Sequence, residues 1–269
     1  MTTQRATQAH RTRLPAALLS TPAVLIVALL AVLGAEAGAA SRRTFVDADS
    51  APAVRADLGS GRPLTLAVLG DSTGAGLGVD TGRAEDTVGG QLAVSLAVDG
   101  RAVALRGVAV SGARTADLAG QVDRLEALLT AEGRRTDPLV ALIVVGANDA
   151  THLTGLARVG EELGQAVRRL RALGAEVVVA TCPDMGSARA FAQPLRAVAG
   201  WRGRAVAQVE AAATREAGGR PVNLAAETGP AFRADPATQS ADEFHPSVRG
   251  YALWAAALLP ATLAAAAAS

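Results

Sequence analysis

From residue 62 onward, short apolar runs alternate with stretches in which apolar positions recur every three or four residues. LTLAVLG (64–70), VALRGVAV (103–110), PLVALIVVG (138–146) and AEVVVATC (175–182) read as buried strands, and PVNLA (221–225) as a weaker fifth. Between them, residues 86–98 carry Val88, Leu92, Ser95 and Leu96 at helical spacing. A helix from about Ala116 sets Leu118, Val122, Leu125 and Leu129 on one face. Residues 156–173 predict a long amphipathic helix stopped by Gly174, and another helix covers roughly 195–216. A last helix runs from about Ser247 into an alanine-rich C-terminus whose final residues are expected to fray. Continuous apolar strands alternating with amphipathic helices imply an α/β domain with a parallel sheet covered on both faces. In such sheets functional residues gather at the carboxyl ends of the strands.

The pattern differs before residue 62. Arg5, Arg11 and Arg13 precede 22 residues without charge, Leu14 to Ala35, whose centre AVLIVALLAVL is continuously apolar. Ala35-Glu36-Ala37 fits a signal-peptidase pattern. The length meets the roughly 20 residues that span a bilayer, which favours an uncleaved anchor. Either reading puts the rest of the chain outside the cytoplasm. The expected organisation is therefore a signal peptide or anchor over 1–40, a polar linker over 41–61 and a catalytic domain over 62–269.

Composition narrows the function classes. Half of the 269 residues are hydrophobic but only 3% are aromatic, so the core must be built from Ala, Val and Leu. All 26 basic residues are arginine, and none stands in a run longer than two. Removing residues 1–40 takes away three Arg and one Glu and leaves 23 basic against 24 acidic residues. That near-neutral balance, without a clustered basic face, argues against nucleic acid as a partner. Cys182 is the single cysteine, which excludes an intramolecular disulfide and a cysteine-based zinc site. No cofactor or metal is called for.

The punctuation after the strands carries the candidate chemistry. GDSTGAGLG (70–78) puts Ser72 in a glycine-rich turn directly after a strand. A serine hydroxyl needs a base to become a nucleophile. Outside the export segment only His152 and His245 are available, and Asp242 stands three residues before His245 in DEFHP, close enough for one turn to join them. His152 has no carboxylate written beside it. Gly112 in SGA and Asn148 in GAND can supply hydrogen-bond donors to an oxyanion, although a strand-end glycine is often only a turn and an asparagine there can cap the next helix.

GDST, SGA, GAND and DEFH occur in that order, and together they resemble the four consensus blocks of the SGNH (GDSL-like) hydrolase family over about 210 residues. The resemblance implies Ser72 as nucleophile, His245 as base and then acid, and Asp242 as the residue orienting it. It implies the Ser72 and Gly112 backbone N–H groups and the Asn148 amide as oxyanion donors. It also implies a flavodoxin-like three-layer α/β/α sandwich with a five-stranded parallel sheet. The expected substrate is a small-molecule, lipid or glycan ester, handled by a monomer. Thr73 departs from the leucine of the commoner GDSL tetrad.

Four rivals remain. GDSTG matches the nucleophile elbow of α/β-hydrolases, but the serine follows the first strand and no HGG-type segment is present. Gly74, Gly76 and Gly78 imitate a dinucleotide fingerprint, yet Val79 stands where its last glycine belongs. An acyltransferase would use the same residues. Cys182 could be a thiol nucleophile, although a strand-end cysteine beside Pro183 is more often simply buried.

Overall fold

The computed structural model describes residues 16–40, 42–43 and 45–269, with side chains from residue 23; Arg5, Arg11 and Arg13 lie outside them. The chain divides into two compact units, Met1–Arg42 and Arg43–Ser269. The described part of the first unit is one helix, α1 (Ala16–Ala40). Its Ala23–Ala40 stretch has a mean hydropathy of 2.3 and is long and apolar enough to cross a membrane.

The second unit is an α/β domain. Its sheet contains β1 (Arg55–Leu58), β2 (Arg62–Gly70), β3 (Arg101–Gly107), β4 (Leu139–Val144), β5 (Ala175–Ala180) and β6 (Arg220–Val222), in spatial order β1-β3-β2-β4-β5-β6. Five strands are parallel, as expected, and β1 adds a sixth, antiparallel to β3. The expected count of five strands is thus corrected to six. The extra strand falls in the 41–61 segment, where no apolar run marks it: its four residues alternate between exposed and half-buried. Backbone pairing and charge hold it instead. The buried Arg106 guanidinium bonds Asp57 at 3.0 Å and Glu132 at 2.6 Å, and Glu132 also takes Arg55.

Alternate residues along each strand face opposite sides. Leu64, Leu66 and Val68 of β2, with Val140, Leu142 and Val144 of β4, pack against α2 (Val88–Val98), α7 (Leu224–Ala234) and α8 (Val248–Ala268). Ala67, Leu69, Ala141 and Ile143 pack on the other face against α3 (Leu118–Ala131) and α5 (Leu156–Ala172). α6 (Leu195–Glu216) lies against α5, and a single turn, α4 (Ala147–Thr151), follows β4. Helix α7 was not expected from the sequence: Asn223 ends the β6 run and caps it, and Pro230 stands inside it.

The C-terminal alanines pack rather than fray. Ala265 and Ala266 are buried, and the Arg101 guanidinium donates to the Ala266 carbonyl oxygen, placing a cation at the negative end of α8. α8 is also apolar enough to span a membrane, but Tyr251, Trp254 and Leu258 commit it to the core.

Candidate active site

β2 delivers Ser72 to the carboxyl edge of the sheet. Gly70 closes the strand at φ +132°, where a Cβ would lie 1.8 Å from the Val144 carbonyl oxygen, so only glycine permits this approach to β4. Gln121 of α3 pairs with Gly70 through both backbone groups, at 2.7 Å each. Asp71 anchors the turn by accepting from the Thr73 backbone N–H (2.9 Å) and the Thr73 hydroxyl (2.6 Å). The departure from GDSL therefore adds a hydrogen bond that leucine cannot make. Burial pushes the Asp71 carboxyl upward, partly offset by these bonds. At the far end of the turn, the buried Tyr251 hydroxyl donates to the Leu77 carbonyl oxygen at 2.6 Å.

The acid–histidine loop approaches from the other side. It is a tight hairpin, with Ser240 N–H donating to the His245 carbonyl oxygen (2.8 Å) and Glu243 in the left-handed region at φ +60°. Gly78 lets the two loops meet: at φ +97°, a Cβ on it would lie 2.4 Å from the Pro246 carbonyl oxygen. His245 Nε2 consequently lies 2.9 Å from Ser72 Oγ, and Nδ1 lies 2.6 Å from Asp242 Oδ2. Asp242 Oδ1 accepts from Ser240 Oγ (2.8 Å) and from the Phe244 and His245 backbone N–H groups (2.9 Å each). Burial disfavours the Asp242 charge, but the bonds from the imidazole and the two backbone N–H groups outweigh it. They hold the carboxyl well below the usual carboxylate range. Relative exposures of 8% for Ser72, 7% for Asp242 and 4% for His245 leave little water to compete along this line. The arrangement can pass the serine proton to an imidazole whose developing charge faces a fixed carboxylate.

Gly112 and Asn148 stand on neighbouring loops of the same edge. Gly112 is exposed, adopts φ +79°, and its backbone N–H meets no acceptor among the described residues; the same holds for the Ser72 N–H. Asn148 is the second residue of α4 rather than its cap, since Gly146 occupies the cap position. One amide N–H of Asn148 donates to the Ala113 carbonyl oxygen at 3.0 Å. The two loops are tied by Asp149, fully buried, which accepts from the Thr115 N–H (2.9 Å) and hydroxyl (3.0 Å). Sequence reasoning passed over Gln121 and Asp149. Asp149 lies inside the GAND block and could have been found as a polar residue in a buried strand-end turn, whereas Gln121 carries no motif.

His152 lies apart from this line. It is exposed at the end of α4, with Nδ1 2.9 Å from the Asn148 carbonyl oxygen. Cys182 is buried, its thiol pushed well above its ordinary value by burial and then by nearby carboxylates, a setting that disfavours the thiolate a nucleophile needs. Its backbone N–H donates to Glu210 Oε2 at 2.6 Å; burial drives the Glu210 carboxyl well upward. Among the described residues, no three His, Cys, Asp or Glu side chains gather as metal ligands. A small pocket next to Thr73 is lined by Ala147, Met185, Phe232, Phe244 and Trp254, with Asp184 and Gln239 also in its wall.

Residues 68–253 match the GDSL-like lipase/acylhydrolase family. The chain is 42% identical over 190 residues to the GDSL-like esterase Rv1075c of Mycobacterium tuberculosis; the match covers 70% of this chain and 58% of that relative. Solved structures share the fold at lower identity. TesA superposes with a TM-score of 0.56 at 23% identity, covering 73% of this chain and 97% of TesA. A member of the lipolytic G-D-S-L family from Veillonella parvula gives 0.55 at 19%, covering 73% and 97%. Axe2, an acetylxylan esterase from Geobacillus stearothermophilus, gives 0.51 at 21%, covering 76% and 95%. With its family blocks in order on this α/β fold, the chain belongs to the GDSL-like lipase/acylhydrolase family.

Proposed function

We propose that this chain hydrolyses carboxylic esters through an acyl-enzyme on Ser72. The observation that carries the reading is the unbroken line from Ser72 Oγ through His245 to Asp242 at the carboxyl edge of the sheet. His245 Nε2 takes the serine proton as Oγ attacks the ester carbonyl. The N–H groups of Ser72 and Gly112 and the Asn148 amide receive the oxyanion. His245 then protonates the leaving alcohol, and the acyl group stays on Ser72. Water, deprotonated by the same imidazole, releases the acid and restores the serine. A pocket with Asp184 in its wall is bordered by Thr73, Ala147 and Phe244, from three of the four loops that carry the candidate residues. The 42% identical relative is an esterase by name, in keeping with this chemistry. The apolar α1 helix supports a membrane anchor or signal peptide, with the second unit working outside the cytoplasm.

A panel of p-nitrophenyl esters of increasing acyl length, run beside acetylated xylo-oligosaccharides, tests the activity and ranks the acyl groups. The expected result is turnover of at least one ester, with an acyl adduct on the Ser72 peptide after rapid acid quench. Failure to hydrolyse any ester, or an adduct on another residue, would remove the proposal.

Asn148 supplies a sharper check on the oxyanion donors. Asn148→Ala should lower kcat by about 10²-fold, the loss typical of one such donor. It also removes the bond to Ala113, a loss on the order of 1 kcal/mol. Because Asp149 still ties the loops, the melting temperature should move little. A large drop in stability with kcat nearly intact would assign Asn148 to loop structure alone.

A further inference from the structure

The segment read from the sequence as a polar linker meets the acid–histidine loop directly. The Arg43 guanidinium pairs with the Glu243 carboxylate at 2.7 Å and donates to the Ala190 carbonyl oxygen at 3.2 Å. The Phe45 ring lies edge-on to Phe244 (5.3 Å between centroids) and to the His245 imidazole (6.3 Å, 89° between planes). The Val46 backbone N–H points at Asp242 Oδ2 at 3.4 Å, the same oxygen that meets His245 Nδ1. Phe45 and Phe244 thus meet the His245 imidazole, and Phe191 packs on Phe244 behind them at 5.6 Å.

We propose that Arg43, Phe45 and Val46 form a positioning strap that holds the Asp242–His245 pair in working geometry, so that the first residues after the N-terminal helix belong to the active site. The inference rests on the esterase reading of Ser72, His245 and Asp242. Three separate constraints support it. Glu243 occupies a left-handed backbone conformation that L side chains rarely adopt, and the Arg43 guanidinium pairs with its carboxylate. Phe45 covers the imidazole of a loop whose neighbouring residues Ala241 and Glu243 are exposed. Val46 adds a donor to the carboxylate oxygen that orients the ring. None of these residues reaches Ser72 or the oxyanion donors, so the strap acts through the pair alone. An orienting group displaced by about 1 Å costs turnover far more than it costs ground-state binding.

The test uses the full-length protein in detergent and compares Phe45→Ala, Phe45→Tyr, Arg55→Ala and Ser72→Ala on the best ester. Phe45→Ala should reduce kcat about tenfold with KM within about twofold. Phe45→Tyr, which keeps a ring edge against His245, should restore kcat to within about twofold of wild type. Arg55→Ala loosens β1 in the same segment without touching the loop, and should leave kcat unchanged. The low-field proton NMR signal of the His245 Nδ1 proton should broaden by exchange in Phe45→Ala and stay sharp in Arg55→Ala. If Phe45→Ala unfolds, Phe45→Leu keeps the apolar volume and makes the same comparison. Phe45→Ala with wild-type kcat, or Arg55→Ala lowering kcat equally, overturns the strap while an inactive Ser72→Ala leaves the esterase reading standing. A Ser72→Ala protein that still turns over ester overturns the esterase reading itself, and the strap with it.

Discussion

Ser72→Ala should lower kcat by about 10⁴-fold or more and abolish labelling by a fluorophosphonate probe, while the protein folds and melts as wild type does. The kinetic loss is large because the hydroxyl is the only group on the line that can form the covalent bond. What survives is the residual catalysis from oxyanion donors and substrate binding. The structural loss is small because, among the described residues, Ser72 Oγ bonds only His245, and the turn around it is held by other atoms. Asp71 and Thr73 bond each other, Gln121 grips Gly70, and Tyr251 holds Leu77, none of which the substitution touches. The probe separates this reading from the thiol alternative, since a reaction at Cys182 would persist in the variant. Labelling of Ser72→Ala at the wild-type rate would end the assignment.

β2 and β4 were legible because each carries an apolar run buried on both faces. β4 is the clearest case, with all six residues buried. β1 was not legible because it lies at the sheet edge and is fixed by Arg106, Asp57 and Glu132, three charges scattered over 76 positions whose pairing no local pattern announces. Helix α7 was hidden by Pro230, which reads as a helix breaker but is tolerated here on a helix that buries Leu224, Thr228 and Phe232. Within the site, the five candidate residues stand in short blocks beside strand ends, where spacing alone brings Asp242 and His245 together. The groups that hold those blocks are distant in sequence: Gln121 is 51 residues from Gly70, and Phe45 is 200 residues from His245. Such contacts arise from tertiary closure, so a window read along the chain assigned residues 43–46 to a linker.

Replacing Asp242 by asparagine should remove nearly as much activity as replacing the serine, for a different physical reason. The Asp242 Oδ1 atom accepts from Ser240 Oγ and the Phe244 and His245 backbone N–H groups, and an asparagine oxygen can keep all three. The amide NH₂ then occupies the Oδ2 position and presents donors where His245 Nδ1–H and the Val46 N–H both donate. The imidazole responds by moving its proton to Nε2, which turns a donor toward Ser72 Oγ and leaves the serine without a base. A kcat loss of about 10⁴-fold follows from the wrong tautomer with the fold retained. Stability supplies a second readout with a definite sign. The folded Asp242 carboxyl titrates below its unfolded value of roughly 3.9, so its charge stabilises the native state above that pH and the contribution fades as pH falls toward the folded value. Asp242→Asn should therefore melt lower than wild type at neutral pH, and the gap should narrow as pH drops below about 4. Melting curves and single-turnover rates at several pH values decide the point. A variant that keeps more than a tenth of wild-type kcat, or a melting gap that widens in acid, would show that Asp242 does not orient the imidazole.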